Sequence, residues 1–420
     1  MNGIRLRHLV DIAPRVIKRP PAGTNITFAP MDAIADGVGG LDTTRMKPFD
    51  EVASGSYNFF ENGDILLAKV TPCFENGKKG LARNLSNGMG FATSEVHVLR
   101  PRPGRINPRF LLYLLSSESF KAEGIASMTG SGGLRRVSDR AILNHRPVVI
   151  DLETQKSIAV FLDRETARID ALVAKKRSFE GLITAREASF IRKVFSSLQC
   201  KKWRLRHLGR VKGGSGFPVR EQGNTSSEIP FFKVKHLKHH GIGARLVESD
   251  NTIDRLTAQR LGATIFPRGT LVFAKIGAAL TLGRFSTLGI DACIDNNMSA
   301  FTPHKKLVYP DFLLLGLEQI DMNFLVQPGP LPAMNTHAFN QVRIPLPAQD
   351  VQARILDLVK RKRDRDDALR ERICLSIERL TELRASLITA AVSGQIDPAT
   401  YRRRGTTDLA LDRIAAEMAP

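Results

Sequence analysis

Residues 4–9 read Ile-Arg-Leu-Arg-His-Leu, and residues 203–208 read Trp-Arg-Leu-Arg-His-Leu. A second match lies further in, where residues 62–70 (Asn-Gly-Asp-Ile-Leu-Leu-Ala-Lys-Val) correspond to residues 268–276 (Arg-Gly-Thr-Leu-Val-Phe-Ala-Lys-Ile). Both copies of this second match have a glycine turn, then an apolar run, and such a run behind a turn is typical of a buried strand. The first match we expect to be strand-like as well. Two ordered matches indicate a tandem repeat.

The repeat continues to the ends of both halves. Pro108 and Pro310 each precede an amphipathic apolar stretch, which predicts a helix with proline in its first turn. Gln155-Lys156-Ser157-Ile158 aligns with Gln352-Ala353-Arg354-Ile355 at an offset of 197, against 199 at the start and 206 at the apolar run. The interior of each copy has therefore gained and lost residues, whereas the ends keep their spacing.

Each copy ends in a long predicted helix. From Glu153 to about Phe195 there is no proline and a single glycine, and apolar residues recur at helical spacing between charges. A narrow apolar seam favours packing of the two helices on each other, and the alternative is that each packs on its own domain. A helix of about 40 residues spans roughly 60 Å, or one to two turns of DNA. The predicted seam residues are Ile169, Leu172, Phe179, Ile183 and Phe190, then Leu369, Ile373, Leu380, Leu383 and Leu387, with Lys176, Arg186 and Asp366 as interruptions.

The composition indicates a polyanionic partner. The 420 residues include 62 Lys and Arg against 42 Asp and Glu, a formal net charge of +20, and nucleic acid is the commonest partner of such a chain. No stretch approaches the roughly 20 apolar residues of a membrane span, and the polar start is unlike a signal peptide. The four cysteines lie far apart, which predicts free thiols in a reducing cytoplasm.

Motifs of catalysis are absent from the sequence. Gly77-Lys78 is followed by Lys79, so it is not a phosphate-binding P-loop. There is also no carboxylate-x-lysine nuclease element, no amino-methyltransferase tetrapeptide and no G-x-G-x-x-G loop. His236 and His240 have helical metal-ligand spacing, but neighbouring lysines would repel a cation, so we favour a basic turn facing phosphate. The chain is interpreted as a binding protein without a metal site.

Two pairs of glycine-rich, basic loops are the best candidates for reading DNA. Residues 69–79 follow the first apolar run, and residues 275–284 follow its counterpart. Small residues let the backbone approach a duplex, while Lys and Arg neutralise phosphates. The second pair, residues 129–136 and 327–335, has diverged, as two modules that read different half-sites would. Ordinary solvated loops are the alternative. The predicted DNA-binding residues are Lys69, Thr71, Asn76, Lys78, Lys79, Ser131, Arg135, Arg136, Lys233, Lys235, Lys275, Thr281, Arg284 and Asn335.

Three stretches resemble the spacer-helix signatures of the specificity subunits of type I restriction-modification systems. They are residues 152–159 (Leu-Glu-Thr-Gln-Lys-Ser-Ile-Ala), residues 161–172 (Phe-Leu-Asp-Arg-Glu-Thr-Ala-Arg-Ile-Asp-Ala-Leu) and residues 384–397 (Arg-Ala-Ser-Leu-Ile-Thr-Ala-Ala-Val-Ser-Gly-Gln-Ile-Asp). The arrangement resembles that family over nearly the whole chain. Residues 349–352 (Gln-Asp-Val-Gln) depart from the first copy around a retained acidic-x-Gln element.

The resemblance implies an α/β fold, with two α/β target-recognition domains in pseudo-twofold tandem separated by two long antiparallel coiled-coil helices. Each target-recognition domain would read half of a bipartite site. The expected segments are target-recognition domains at 1–150 and 201–347, a central spacer helix at 151–200, a C-terminal spacer helix at 348–395 and a basic tail at 396–420.

The resemblance also implies the function: a non-catalytic, cytoplasmic subunit that binds double-stranded DNA and directs two methyltransferase subunits, with up to two restriction/translocase subunits. No cofactor is expected in this chain, because S-adenosylmethionine, ATP and Mg²⁺ would belong to those partners. One alternative is a basic coiled-coil nucleic-acid-binding scaffold outside restriction-modification, serving RNA or acidic proteins. Another is that the chain is itself a nuclease or methyltransferase.

Overall fold

The computed structural model describes residues 3–15, 20–21, 23–35, 40–53, 55–131, 133–148, 150–238, 241, 243–327, 329, 332–399 and 401. The chain forms two compact units. The first comprises Met1–Ser178 with Arg372–Pro420, and the second comprises Phe179–Glu371. His239, His240 and most of the predicted basic tail, residues 402–420, lie outside the described residues.

Two four-stranded sheets form the framework of the first unit. Its strands are β1 (Val10–Ile12), β2 (Asn25–Ala29), β3 (Met46–Pro48), β4 (Asn58–Glu61), β5 (Ile65–Ala68), β6 (Lys79–Leu81), β7 (Met89–Ala92) and β8 (Val96–Pro101), and its helices are α1 (Phe49–Ala53), α2 (Pro108–Leu114), α3 (Glu118–Ala126), α4 (Asp139–Asn144) and the beginning of α5 (Leu152–Ser196). One sheet has the antiparallel order β1-β8-β5-β6, and the other has the order β3-β2-β7-β4 with β2 parallel to β7.

A five-stranded sheet forms the centre of the second unit. The strands of this unit are β9 (Lys202–Arg204), β10 (Gly209–Gly213), β11 (Ile229–Phe232), β12 (Arg245–Leu246), β13 (Thr252–Ile253), β14 (Leu271–Ala274), β15 (Phe285–Leu288), β16 (Cys293–Ile294), β17 (Met298–Pro303), β18 (Val326–Gln327), β19 (Ala333–Met334) and β20 (Arg343–Pro345). Its helices are the end of α5, α6 (Leu205–Leu208), α7 (Arg255–Arg260), α8 (Ala278–Thr281), α9 (Pro310–Leu317), α10 (Thr336–Gln341) and the beginning of α11 (Gln349–Val392). The sheets have the orders β10-β17-β14-β15-β12, β13-β11-β16, β18-β19 and β20-β9.

The predicted repeat is present in the strand pairing. The order β1-β8-β5-β6 of the first unit corresponds to β10-β17-β14-β15 of the second, and the parallel pair β2-β7 corresponds to β11-β16. Ala68 pairs with Val96 in the first unit, and Ala274 pairs with Met298 in the second. All residues of β5 and β14 are buried, so the prediction of two buried strands is confirmed.

The part of each opening motif that carries the two leucines is a helical turn, and the strand-like prediction was wrong there, although Trp203 and Arg204 belong to β9. Leu6–His8 forms a 3₁₀ turn and Leu205–Leu208 forms the short helix α6. Leu6 and Leu205 are fully buried. The leucines of each motif are three residues apart, which puts both on one face of a helical turn rather than on opposite faces of a strand.

A buried glutamine joins each long helix to the segment before its domain's proline helix. Gln155 Oε1 accepts from Asn107 N–H at 2.8 Å, and its Nε2 donates to Ile150 O at 2.7 Å. In the second unit Gln352 Oε1 accepts from Tyr309 N–H at 3.0 Å, and its Nε2 donates to Pro347 O at 2.9 Å. The helices α2 and α9 both have proline in the first turn, as the sequence predicts.

In the first unit, the beginning of α5 packs on the end of α11. Ile169 and Leu380 are buried in one core cluster, to which Leu387 also belongs. Leu172 and Leu383 are partly buried against that cluster, and Ile373 is 6% exposed. Five of the predicted seam residues therefore share one core in this unit.

In the second unit, the end of α5 packs on the beginning of α11. Ile191 and Phe195 of α5 share a core with Ile355 and Val359 of α11. Two contacts give the relative direction of the helices, Glu187–Arg370 and Phe190–Lys362. From the first contact to the second the residue number rises along α5 and falls along α11, so the segments are antiparallel. Among the predicted seam residues, Ile183 is buried, Phe190 packs against the core, and Leu369 is half-buried.

The prediction that Phe179 of α5 lies in the helix seam is wrong. Phe179 is 38% exposed, and Arg186 is exposed too, whereas Glu180 and Glu187 are half-buried. The buried stripe of α5 moves on by one residue because a helix with 3.6 residues per turn drifts against a heptad repeat. The stripe of α11 keeps the heptad, with buried Asp366, Ile373, Leu380 and Leu387.

Candidate nucleic-acid interface

The two basic loops predicted in the first unit lie side by side. Thr71 N–H donates to Arg135 O at 2.9 Å, and Arg135 N–H donates to Thr71 Oγ1 at 2.8 Å. Val137 N–H donates to Lys69 O at 2.9 Å, and Val70 and Arg136 form an antiparallel bridge. These bonds hold the backbone between residues 69 and 71 against the backbone between 135 and 137. We call this arrangement the loop pair of the first unit.

The second unit has the same loop pair. Met334 N–H donates to Lys275 O at 2.9 Å, Gly277 N–H donates to Pro332 O at 2.8 Å, and Ile276 bridges to Ala333. By these bonds Lys275 corresponds to Lys69, and Ala333 corresponds to Arg136, at the offsets of 206 and 197 found in the sequence. The backbone geometry is thus repeated, whereas the side chains on the second loop differ.

A glycine permits the tight turn of the second loop in the first unit. Thr129 and Arg136 exchange backbone hydrogen bonds of 3.1 and 2.8 Å. Between them, Gly130 has φ +146°, and a Cβ placed there would lie 2.3 Å from Leu134 O. Because any other residue would collide with this carbonyl, glycine at 130 allows Arg135 and Arg136 to project from a closed hairpin.

Arg136 is held by a carboxylate. Its Nε and Nη2 donate to Glu95 Oε2 and Oε1, each at 2.9 Å. Both side chains are partly exposed, at 45% for Arg136 and 32% for Glu95. The hydrogen bonds from Arg136 lower the pKa of Glu95, so the carboxylate stays ionised. The Lys69 ammonium acts in the same direction.

The other predicted residues of this loop pair have mixed environments. Arg135 Nη2 contacts Glu75 Oε1 at 3.2 Å with the Arg135 side chain 48% exposed. Asn76 and Ser131 are exposed. Thr71 Oγ1 also donates to Arg135 O at 3.0 Å, so this hydroxyl serves the loop pair. The carboxylates of Glu75 and Glu95 were not found from the sequence, because no spacing pattern links them to arginines 60 and 41 residues away.

Two predicted phosphate contacts of the first unit, Lys78 and Lys79, are not fully exposed to solvent. Lys79 is 1% exposed, and its Nζ donates to Gly77 O at 3.1 Å, so the prediction that it contacts DNA is wrong. Lys78 Nζ donates to Met31 O at 3.1 Å from a half-buried position. Lys79 is the first residue of β6, and all three residues of this strand are buried.

Four of the six predicted residues of the second unit lie in or next to α8, β14, β15 and β19 along the chain. Lys275 and Thr281 are exposed and Arg284 is half-buried. Within the described part of the chain, neither Lys275 nor Arg284 has a side-chain hydrogen bond or ion pair. Thr281 Oγ1 donates to Ala278 O at 2.8 Å. Asn335 Oδ1 accepts from Ala338 N–H at 3.0 Å and caps α10, so its carbonyl oxygen already serves the fold.

The predicted basic turn, residues 233–238, is partly neutralised by one carboxylate. Asp250 pairs with Lys235, and its Oδ1 lies 2.8 Å from His236 Nε2. Hydrogen bonding from Lys235 lowers the pKa of Asp250. Lys233 Nζ donates to Gln222 and lies 5.1 Å from the centroid of the Phe217 ring. The predicted phosphate-facing turn is therefore less positive than its sequence indicates, because the fold brings in an acidic residue 14 positions away.

Two further searches cover the described residues only. No group of three or more His, Cys, Asp and Glu residues there could hold a metal ion. No helix within those ranges is both long and apolar enough to cross a membrane.

The second half of the chain is similar to proteins of known family. Residues 200–379 match the model of the type I restriction modification DNA specificity domain. The type I restriction enzyme EcoAI specificity subunit of Escherichia coli is 39% identical over 136 residues, which are 32% of this chain and 23% of that protein. The EcoEI specificity subunit of the same organism is 34% identical over 154 residues, or 37% of this chain and 25% of that protein. The chain thus matches about a quarter of the length of these two relatives.

The fold is shared with solved structures over most of the chain. A chain from a structure described as the basis of complex assembly and conformational transition of the type I R-M system has a TM-score of 0.71 at 16% identity, covering 94% of this chain and 97% of that one. The HsdS subunit from Thermoanaerobacter tengcongensis has a TM-score of 0.52 at 16% identity, with coverage of 94% and 96%. The match to the type I restriction modification DNA specificity domain is thus carried by residues 200–379, and the likeness over the rest of the chain is one of fold.

Proposed function

We propose that this chain is the non-catalytic specificity subunit of a type I restriction-modification complex and binds a bipartite site in double-stranded DNA. The observation that carries the proposal is the recurrence of the loop pair. One backbone arrangement holds Lys69 beside Arg135 and Arg136 in the first unit, and holds Lys275 beside β19 in the second. Conserved backbone with divergent side chains is what two modules for two different half-sites require.

The charge of the chain supports a DNA ligand. A net charge of +20 favours a polyanion through release of counterions from phosphates. Lys275 and Arg135 are exposed at the loop pairs, where small residues leave room for a duplex. Base-specific contacts would come from the side chains that differ between the loop pairs, and phosphate contacts from the lysines common to both.

The proposed domains follow the repeat. Residues 1–150 and 201–347 would be the DNA-reading modules, and residues 151–200 and 348–395 would be spacer helices that set the gap between half-sites. The relatives are named as specificity subunits of restriction enzymes. By that likeness, we propose two methyltransferase subunits and up to two restriction/translocase subunits as partners in the cytoplasm, with S-adenosylmethionine, ATP and Mg²⁺ bound by those partners.

The proposal is tested by selection from random duplexes. The purified full chain, with the methyltransferase subunit that co-purifies with it, is incubated with a random DNA library, and bound fragments are sequenced. We expect enrichment of two short defined sequences separated by a gap of fixed length. Enrichment without a split motif would instead indicate a basic scaffold, and turnover of S-adenosylmethionine by the isolated chain would contradict a non-catalytic role.

The spacer role has its own test. Removing seven residues from both long helices preserves the heptad phase of α11 and shortens each helix by roughly 10 Å. We expect the gap in the selected motif to change or binding to be lost. A selected motif with the original gap would contradict the spacer role.

A further inference from the structure

The hydrogen bonds between Arg136 and Glu95 occupy one edge of the guanidinium and leave another open. Glu95 accepts from Nε and Nη2. The other edge, formed by Nη1 and the second proton of Nη2, has no partner among the described residues. A guanidinium has five N–H donors in a fixed fork, so two parallel donors remain for a second planar acceptor pair.

The backbone beneath Arg136 is also fixed. Arg136 exchanges two hydrogen bonds with Thr129 and bridges to Val70, and the next residue, Val137, donates to Lys69 O. An arginine that is held at both its backbone and its head group loses little further freedom on binding. Such an arginine is suited to a ligand with a defined position and orientation.

The Glu95 carboxylate favours a base over a phosphate as the ligand of Arg136. Glu95 largely cancels the positive charge of Arg136 at a distance of 2.9 Å, and a carboxylate so close would repel a phosphate. The N–H donors are unaffected by this cancellation. A neutral pair of acceptors on a base edge therefore fits better than an anion, and guanine offers such a pair, O6 and N7, in the major groove.

We propose that Arg136, oriented by Glu95, reads a guanine in the half-site bound by the first unit. The inference rests on the proposed function and names a residue of its specificity. Arg136 would make the base contact, and Glu95 would be a positioning residue. The second unit has Ala333 and Asn297 at the corresponding positions, so this guanine contact belongs to one half-site only.

The test is selection of random duplexes by the full chain and by the variants Arg136→Ala, Arg136→Lys and Glu95→Gln. For the unaltered chain we expect one half-site with a required G·C pair. Arg136→Ala and Arg136→Lys should lower discrimination at that pair by roughly 10- to 100-fold. Glu95→Gln should weaken discrimination at the same pair while leaving the other half-site unchanged.

The matched control is the pair of Arg102 and Asp11. Arg102 Nε and Nη2 also contact one carboxylate, at 3.1 and 2.7 Å, and the Arg102 side chain is 43% exposed, against 45% for Arg136. Arg102→Ala and Asp11→Asn should leave the selected motif unchanged. Thermal unfolding of every variant checks that the fold is retained. If Glu95→Gln proves unstable, Arg136→Lys still tests the inference, because it keeps the positive charge and removes the guanidinium.

Three results would overturn the inference. The required guanine could persist at full strength in both Arg136 variants. The selected motif could lack a required G·C pair altogether. Alternatively, Arg136→Ala could lower the slope of log K against log salt by about 0.9 while the base preference stays the same. That result would make Arg136 a phosphate contact. Failure of the unaltered chain to select any DNA would instead contradict the proposed function itself.

Discussion

Arg363 Nε donates to Glu187 Oε1 at 2.6 Å, which joins the beginning of α11 to the end of α5 in the second unit. Arg363 Nη2 also lies 3.5 Å from Glu318 Oε2, and Arg370 Nη2 lies 3.2 Å from Glu187 Oε2. One guanidinium thus bridges two carboxylates that would otherwise repel each other. The side chains are 14–23% exposed, so solvent screens these charges less than at the surface.

Replacing Arg363 with alanine should destabilise the second unit by about 2 kcal/mol, because Glu187 and Glu318 would be left partly buried without this cation. Urea unfolding measures the change. The control is Arg361→Ala, which removes an exposed pair with Asp357 on the same helix and should cost less than about 0.5 kcal/mol. Equal effects of the two substitutions would contradict a stabilising role for the bridge.

Glu318 should make the stability of the second unit decrease as pH rises. Burial raises the pKa of this carboxyl above its ordinary value of 4.5, and Glu187 raises it further, while Arg363 opposes the shift. The folded state therefore binds the proton more tightly than the unfolded state, and the stabilisation is complete below pH 4.5 and lost as pH rises through the raised pKa. Glu318→Gln should remove this decrease.

Urea unfolding at a series of pH values from about 4 upward tests the Glu318 prediction. Glu371→Gln, at an exposed position of α11, is the control and should leave the pH dependence in place. A pH dependence that is the same in Glu318→Gln as in the unaltered chain would contradict the prediction.

Gln352→Ala should cost about 3 kcal/mol of folding free energy. The Gln352 side chain is fully buried, and its amide bonds Tyr309 N–H, Leu307 O and Pro347 O at 2.9–3.0 Å. Its loss would leave buried backbone groups without partners. Gln349→Ala, which removes one exposed hydrogen bond to Lys305 O, should cost less than about 0.5 kcal/mol. A small effect at Gln352 in denaturant unfolding would mean that water or neighbouring groups replace these bonds.

Lys275→Ala should weaken binding to all duplex sequences and reduce the slope of log K against log salt by about 0.9, the value for one phosphate contact. Lys275 is exposed and has no side-chain ion pair within the described ranges. The control is Lys305→Ala in the same unit, since Lys305 Nζ already donates to Arg268 O. Binding isotherms at several salt concentrations give both slopes. An unaltered slope for Lys275→Ala would remove this residue from the interface.

Much of the architecture could be predicted from the sequence, because it depends on local patterns. Local patterns mark the buried strands β5 and β14, the helices α2 and α9 that begin with proline, and the two long helices. These patterns are apolar periodicity and the glycine or proline residues at which an element begins or ends. The prediction was wrong where periodicity was ambiguous. The motif around Leu6 has too few residues to distinguish a turn from a strand, and Phe179 was assigned to a heptad that α5 does not keep.

The candidate site could be predicted only in outline. The basic loops were found because glycine and lysine recur in both copies, but exposure could not be read from residue type. Lys79 is buried, and Asn335 caps a helix, although each resembles a DNA contact in the sequence.

The amino-acid sequence by itself determined that the chain repeats, that each copy ends in a long helix, and that its charge favours a polyanionic partner. Those properties follow from composition and from spacing along one chain. Only the tertiary structure decided that Glu95 holds Arg136 and that Thr71 joins the two loops. Such pairs are 41 and 64 residues apart, and only the strand pairing of the folded unit, which no local pattern encodes, brings them within hydrogen-bonding distance.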